Sequence, residues 1–390
     1  MSKLLQLLPT REQLICLFEQ HIADEQTFVL KKRIMARDRY ISLWQQQLLM
    51  NKKIGAVQND MELSWSTVML SSSSIVKSCI RSDGVTITDL ADSRDEDEID
   101  ESSQSLTALF VQGAWQVGLL IKIPAGSIVK EPIDIADYVT ISNGAITKIV
   151  IMLGADAQAT FIDSRIVNQS FLASSITYHL GNRARALVRH ECSWQLFCGI
   201  MHICAELAID SYFELQAVIA GGQRLGYDVE IFCNGVRSQA KVQSAIIGQQ
   251  KQLIIMQSSQ IHRGAYTISK LEMRGLCAHG AQLHFDGMVH VAPSANGADA
   301  QQQSRFLVIG DTAHAHAKPV LEALTDDIRC SHGSAVGQLD EEQLTYLRLR
   351  GIAMPVARQM LTQGFLYEVV DVHAQPFLHT VIKSVFNEFI

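Results

Sequence analysis

No two of the eight cysteines in this chain are spaced Cys-x-x-Cys, which removes the zinc-ribbon and thioredoxin-like readings. There is no Gly-x-x-x-x-Gly-Lys-Ser/Thr, so the chain has no phosphate-cradling loop of the common ATPase kind. No apolar run reaches the roughly 18 residues of a membrane helix. The N-terminus lacks an apolar segment followed by a small-residue cleavage site. A cytoplasmic protein without membrane contact is therefore the expectation, with its cysteines as free thiols. A basic field is missing too: 33 Lys and Arg stand against 40 Asp and Glu, for a net charge of -7, which speaks against nucleic acid as a partner. Hydrophobic residues make up 47% of the chain, enough to exclude global disorder.

Residues 1–60 read as an N-terminal helical domain. Leu4, Leu7, Leu8, Leu14, Phe18, Ile34, Ile41, Trp44 and Leu48 recur at mixed spacings of three and four. The basic run Lys31, Lys32, Arg33, Arg37 and Arg39 marks a solvated face. From residue 61 the texture changes to short β-rich runs broken by Gly, Asn, Asp and Pro. The acidic stretch Asp92 to Glu101 repels itself and reads as an exposed loop.

An internal repeat then appears. Leu153-Gly-Ala-Asp-Ala-Gln-Ala159 is echoed by Leu180-Gly-Asn-Arg-Ala-Arg-Ala186, Leu207-Ala-Ile-Asp-Ser-Tyr-Phe213 and Asn234-Gly-Val-Arg-Ser-Gln-Ala240, each step being 27 residues. Small residues recur at 154, 181, 208 and 235 and again at 157, 184, 211 and 238. The signature returns out of phase at Ile309-Gly-Asp-Thr-Ala-His-Ala315. A unit of this kind cannot bury its own apolar face, but stacked units can, with small residues at tight corners. The expected fold is a mainly β solenoid, a parallel β-helix over 61–337. Residues 338–390 follow as a C-terminal helical domain: Asp340 is placed to cap a helix, Gly351 to stop it, and Pro355 to start a second. A third begins near Pro376.

Candidate ligands cluster late in the chain. In a strand side chains alternate faces, so Cys330 and His332 point one way and Arg329 and Ser331 the other. A thiolate and an imidazole so placed suit zinc, copper or an iron-sulfur cluster, each of which wants about three or four ligands. His314 and His316, in Ala313-His-Ala-His-Ala317, form a second same-face pair. A buried Cys beside a hydrogen-bonded His explains the first pair without a metal, and a strand with Ala inward and His outward explains the second. Cys192, Cys198 and Cys204 are expected to pack inside the solenoid, and His279, His284 and His290 to be scattered strand residues. A polysaccharide-active β-helix enzyme would need carboxylates grouped on one face. Asp156, Asp163, Asp210 and Asp228 read as out of phase with the repeat, which disfavours it. A stand-alone metal enzyme using His314, His316 and His332 is the other alternative.

The runs Phe285-Asp-Gly-Met-Val-His-Val-Ala-Pro293, Lys318-Pro-Val-Leu-Glu322, Asp326-Asp-Ile-Arg-Cys-Ser-His-Gly-Ser-Ala-Val-Gly337 and Tyr346-Leu-Arg-Leu-Arg-Gly-Ile352 resemble the SufB/SufD family of iron-sulfur cluster assembly scaffolds. The Cys330-Ser-His-Gly333 run resembles the SufD branch, and Ala313 stands where SufB carries its scaffold cysteine. The resemblance implies a right-handed parallel β-helix between helical terminal domains and a non-catalytic scaffold role. It implies heterodimer pairing with a SufB-like subunit through the β-helix edge, and a SufC-like ATPase on the C-terminal helices that brings the only ATP. A transient iron-sulfur cluster, or iron, is implied to be shared with SufB, with His332 as the ligand on this side. Family complexes also bind reduced flavin, which no residue here can be assigned to hold. Position 316 is His where SufD relatives usually have Asp, and Ala353-Met-Pro355 replaces the usual acidic helix start. A homodimer of the isolated chain is a further expectation, since a solenoid edge is open to pairing.

Overall fold

In the computed structural model the described residues lie between 75 and 383, without 77–78, 81–83, 91–104, 106, 109–110, 113–114, 116, 138, 141–144, 165–170, 195–197, 371–378 and 380. The chain divides into two compact units, Met1–Thr67 and Val68–Ile390, and the described residues belong to the second. The helical reading of residues 1–60 and the acidic run from Asp92 to Glu101 fall outside them.

Short strands come first: β1 (Ile75–Val76), β2 (Cys79–Ile80), β3 (Thr86–Asp89), β4 (Val117–Ile123), β5 (Ile133–Asp134), β6 (Val139–Thr140), β7 (Ala145–Leu153) and β8 (Gln158–Asp163). Twelve longer ones follow: β9 (Phe171–Leu180), β10 (Arg185–Trp194), β11 (Cys198–Leu207), β12 (Tyr212–Gly221), β13 (Arg224–Cys233), β14 (Gln239–Gly248), β15 (Leu253–His262), β16 (Ile268–Ala278), β17 (Gln282–Val291), β18 (Ala298–Ile309), β19 (His314–Ala323) and β20 (Ile328–Gly337). They form a mostly parallel β-solenoid. Odd-numbered strands from β7 to β19 extend a ten-stranded sheet begun by β2, β3 and β4, and even-numbered strands from β8 to β20 join β5 in an eight-stranded sheet. Each coil thus gives one strand to each sheet. Only the β1–β6, β2–β3 and β3–β4 pairings are antiparallel among the described residues.

The register explains the sequence repeat. Leu153 pairs with Leu180 and Leu180 with Leu207, steps of 27 residues. At the corner leading from the ten-stranded to the eight-stranded sheet, the Gly181 N–H donates to Leu153 O at 2.8 Å and the Gly235 N–H to Leu207 O at 2.8 Å. These corners stack so closely that a Cβ on Gly235 would sit 2.1 Å from the Ala208 carbonyl carbon. Just inside, Ala157, Ala184, Ser211 and Ser238 are fully buried. After residue 240 the corners lengthen: Gln239 pairs with Ile268 and Ile268 with Asp299, steps of 29 and 31. The signature at 309–315 is out of phase because it occupies the opposite corner, between β18 and β19.

One expectation is corrected at these corners. Asp156 and Asp210 are in phase with the repeat, alternating at the turns with Arg183 and Arg237, all four at φ near +60°. Arg183 donates to both carboxylate oxygens of Asp156 at 2.6 Å, and Arg237 to those of Asp210 at 2.7 and 2.6 Å. These hydrogen bonds hold both carboxyls below their usual range. They are an exposed ion-pair ladder, not an acid pair for hydrolysis.

Between the sheets lies the core. Phe161, Tyr178, Phe213, Phe285 and Phe306 are buried with rows of Ile, Leu and Val, each large apolar side chain contributing roughly 1.5–3 kcal/mol when taken from water. Cys233 and Cys277 belong to this core. Cys204 does not: it is buried on the outer side of the ten-stranded sheet with Phe232 and Ile261. The side chains of Cys192 and Cys198 fall outside the described residues.

Beyond β20, Asp340 caps helix α1 (Glu341–Leu349) by accepting from the Glu342 and Gln343 N–H groups at 2.8 and 3.2 Å. Gly351, at φ +84°, follows the helix end. Helix α2 (Met354–Tyr367) starts one residue before Pro355. Its far end packs on the outer face of the eight-stranded sheet, where Leu366, Val369 and Ile382 meet Val218, Ile247 and Leu276. Arg274, buried on that face, pairs with Glu368 at 2.6 Å. Of the third helix, 379 and 381–383 are described, in helical conformation.

Two glycines test the corner stacking. Gly235→Ala forces two corner backbones apart and is expected to lower the unfolding free energy by about 1–3 kcal/mol in urea titrations. Gly364→Ala, within α2 and with no atom within 4 Å of the added Cβ, is expected to be neutral or to stabilise by up to about 1 kcal/mol.

Candidate functional site

Both sheets end in the same coil. Among the described residues β20 is hydrogen-bonded to β18 alone and β19 to β17 alone, so each presents one edge without a described strand partner. Exposure follows: most of β20 is open to solvent, including the apolar Val336, and so is Leu324 at the turn between the two strands.

The pleat assigns each candidate ligand to a face. In β18, Ala298, Ala300, Gln302, Ser304 and Phe306 are buried and point inward. Cys330 pairs with Ala300 and His332 with Gln302, so both candidates share that inward face. Cys330 is half-buried against the small cluster of Val289, Val291, Ala298 and Ala300. Burial pushes its thiol up from the ordinary range; a backbone hydrogen bond at Ala300 opposes this and the nearby Asp299 carboxylate adds to it. His332 is exposed at the open end.

His314 and His316 are elsewhere. Ala315 and Ala317 pack against the core from β19, so the two imidazoles between and beside them project from the outer face of the ten-stranded sheet. His316 lies beside His284, its register partner, with ring centroids 6.2 Å apart. His290 faces outward too, 3.4 Å from Glu322, whereas His279 sits in a turn at φ +53°. Alternation thus keeps each candidate pair on one face, but the two pairs are on different faces of different sheets. Among the described residues no group of three His, Cys, Asp or Glu side chains is close enough to hold a metal ion.

Other histidines are held inside networks that sequence patterns did not single out. His190 bonds Tyr227 at 2.8 Å and lies 3.4 Å from Asp163. His202 sits between Ser175 at 2.9 Å and Glu230 at 3.3 Å. His262 bonds the Thr267 and Ser269 hydroxyls at 2.7 Å, and burial pushes its pKa down to about 4. The His190 and His202 networks join strands 27 to 37 residues apart, so no local spacing announces them, whereas His262 bonds across a single corner. The helices add a surface feature: Tyr346, Leu349, Val356 and Met360 are exposed apolar side chains on α1 and α2, with Leu349 82% accessible. No described helix is long and apolar enough to cross a membrane.

Residues 138–365 match the family model described as SUF system FeS cluster assembly, SufBD core domain. The chain is similar to an iron-sulfur cluster assembly protein SufD of Escherichia coli, 29% identical over 165 residues, or 42% of this chain and 39% of that protein. It is also similar to the chloroplastic protein ABCI7 of Arabidopsis thaliana, 31% identical over 163 residues, 42% of this chain and 34% of the relative. A SufBD family protein of Mycobacterium leprae is 42% identical over 91 residues, 23% of each chain. The chain therefore spans well under two thirds of the length of these relatives.

The raised thiol pKa and half-burial of Cys330 make it a slow nucleophile at neutral pH. In mass-spectrometric alkylation kinetics at pH 7.5, Cys330 is expected to react several-fold more slowly with iodoacetamide than the exposed Cys79, and to speed up as pH rises. Equal rates at the two thiols would contradict that environment.

Proposed function

The chain belongs to the SufB/SufD family of the SUF iron-sulfur system, and on that premise we propose that it is a SufD-type scaffold subunit that helps build a cluster at an edge shared with a SufB-like subunit. The observation that carries this reading is the open terminal coil, where the inward-facing Cys330 and His332 meet an unpaired strand edge. An edge of unsatisfied N–H and C=O groups is a template for another strand. Docking a second solenoid there would satisfy the backbone, cover Leu324 and Val336, and bring ligands of the partner over the same opening. Two ligand-type side chains are too few for a closed site, and they suit a cargo that must leave again.

The two residues divide the work. His332 binds iron or the transient cluster through one imidazole nitrogen, as it can at neutral pH when uncharged. Cys330, with its thiol pKa raised, supports packing first and ligation second. His314 and His316 take no part, because their face looks away from the opening. The exposed apolar side chains of α1 and α2 form the seat for a SufC-like ATPase, whose hydrolysis is the source of mechanical work for a chain that has no nucleotide loop of its own. Reduced flavin, if the complex holds it, is not assigned to residues here. Without a SufB-like partner the same edge pairs two copies of this chain.

Co-expression with a SufB-like and a SufC-like partner, followed by anaerobic purification and iron, sulfide and absorption measurements, tests the proposal. His332→Ala is expected to lose most of the cluster, while His316→Ala keeps it. Truncation after Gly337 is expected to lose the ATPase subunit and retain the SufB-like one. A full cluster complement in His332→Ala would overturn the ligand assignment, and ATPase retained by the truncated chain would overturn the docking seat.

A further inference from the structure

One coil below His332 lies a polar side chain that the fold has made room for and not paired. Gln302 is 2% exposed, yet neither its amide nitrogen nor its amide oxygen has a hydrogen-bond partner among the described residues. Its amide reaches across the lumen to β17 at Gly287, where a Cβ would come within 2.2 Å of Gln302 Nε2. Glycine at 287 therefore keeps open the space that the carboxamide fills. A buried amide left without partners is costly.

His332 is the register partner of Gln302 and lies on the same inward face. Parallel neighbours stand about 4.8 Å apart, so the two side chains leave the sheet on the same face one strand spacing apart. On the inward face of β18, β19 and β20 no described side chain carries a full charge. On β18 and β20 the charged side chains Asp299, Arg305 and Arg329 occupy odd positions on the other face. On β19 the inward residues are Ala315, Ala317, Pro319, Leu321 and Ala323, while His314, His316, Lys318 and Glu322 point outward. Cys330 is the other titratable group on the inward face.

We propose that Gln302 is the positioning residue for His332: its amide oxygen accepts the ring N–H that does not face the cargo, directly or through one bridging water, and so fixes which nitrogen is free to bind. This rests on the reading of His332 as a ligand. A ligating imidazole needs an acceptor for its other N–H, which sets tautomer and ring orientation. Gln302 is the unpaired buried acceptor in register with it.

The test is histidine ring-nitrogen NMR on the uniformly folded full chain at pH 8, with the His332 signals identified by their loss in His332→Gln. Wild type is expected to show one dominant His332 tautomer. Gln302→Leu and Gln302→Met, close in volume and without an acceptor, are expected to move the two ring-nitrogen shifts toward a mixed population, and Gln302→Glu to restore the bias. Cluster content of the complex is then expected to fall several-fold in the first two variants and less in the third. Unchanged His332 ring shifts in both apolar variants would overturn the positioning role, even if His332→Ala still abolishes the cluster. Altered shifts together with a full cluster complement in His332→Ala would instead overturn the ligand reading beneath it.

Discussion

Every coil of this solenoid satisfies its backbone by hydrogen-bonding to the coil before and the coil after, and the last coil has only the one before. That asymmetry organises the molecule. Leu153, Leu180 and Leu207 sit in register because each corner rests on its predecessor, and the stack is tight enough that glycine is demanded where backbones nearly touch. The stack of described strands ends at β19 and β20, whose outer edges pair with no other described strand. The C-terminal helices cover the outer face of the eight-stranded sheet, through Leu366 at the end of α2 and Val369 just beyond it. The edge carrying Cys330 and His332 is thus the end of the described stack.

The two faces of each sheet have separate duties. Inside, aliphatic and aromatic rows provide the stability, interrupted by polar positions whose partners lie one or more coils away, as in the pairing of His190 with Tyr227. Outside, ladders of opposite charge run along the stack; Asp156, Arg183, Asp210 and Arg237 alternate at successive corners. Such exposed pairs add little stability. Their regular alternation avoids like charges meeting across a 4.8 Å spacing.

Much of the architecture was legible because it is local and periodic. The 27-residue step is written in small residues at 154, 181, 208 and 235, and the helix start at Asp340 in its capping residues. The drift after 240 was visible, but its cause was not, since lengthened corners look like lost periodicity. Alternation placed Cys330 with His332 and His314 with His316, yet it could not say which parity faces the lumen; that depends on the neighbouring coil. Asp156 and Asp210 were misjudged as out of phase because the intervening partners are arginines, so the shared position shows itself only in the turn conformation. Cys204 was assigned to the interior because a buried outer face breaks the rule that one side of a sheet is wet. Gln302 stands in a run of three glutamines with nothing local to mark it, and only the register shows it as the neighbour of His332.

If the terminal edge is where a partner solenoid continues the stack, its backbone protection must depend on that partner. Hydrogen–deuterium exchange across residues 328–337, in the free chain and in the complex with a SufB-like subunit, measures this directly. The account predicts that β20 amides exchange fast in the free chain and slow by at least tenfold in the complex, while β10 and β12 in mid-stack are unchanged. A complex that forms with the exchange of 328–337 unaltered would contradict it.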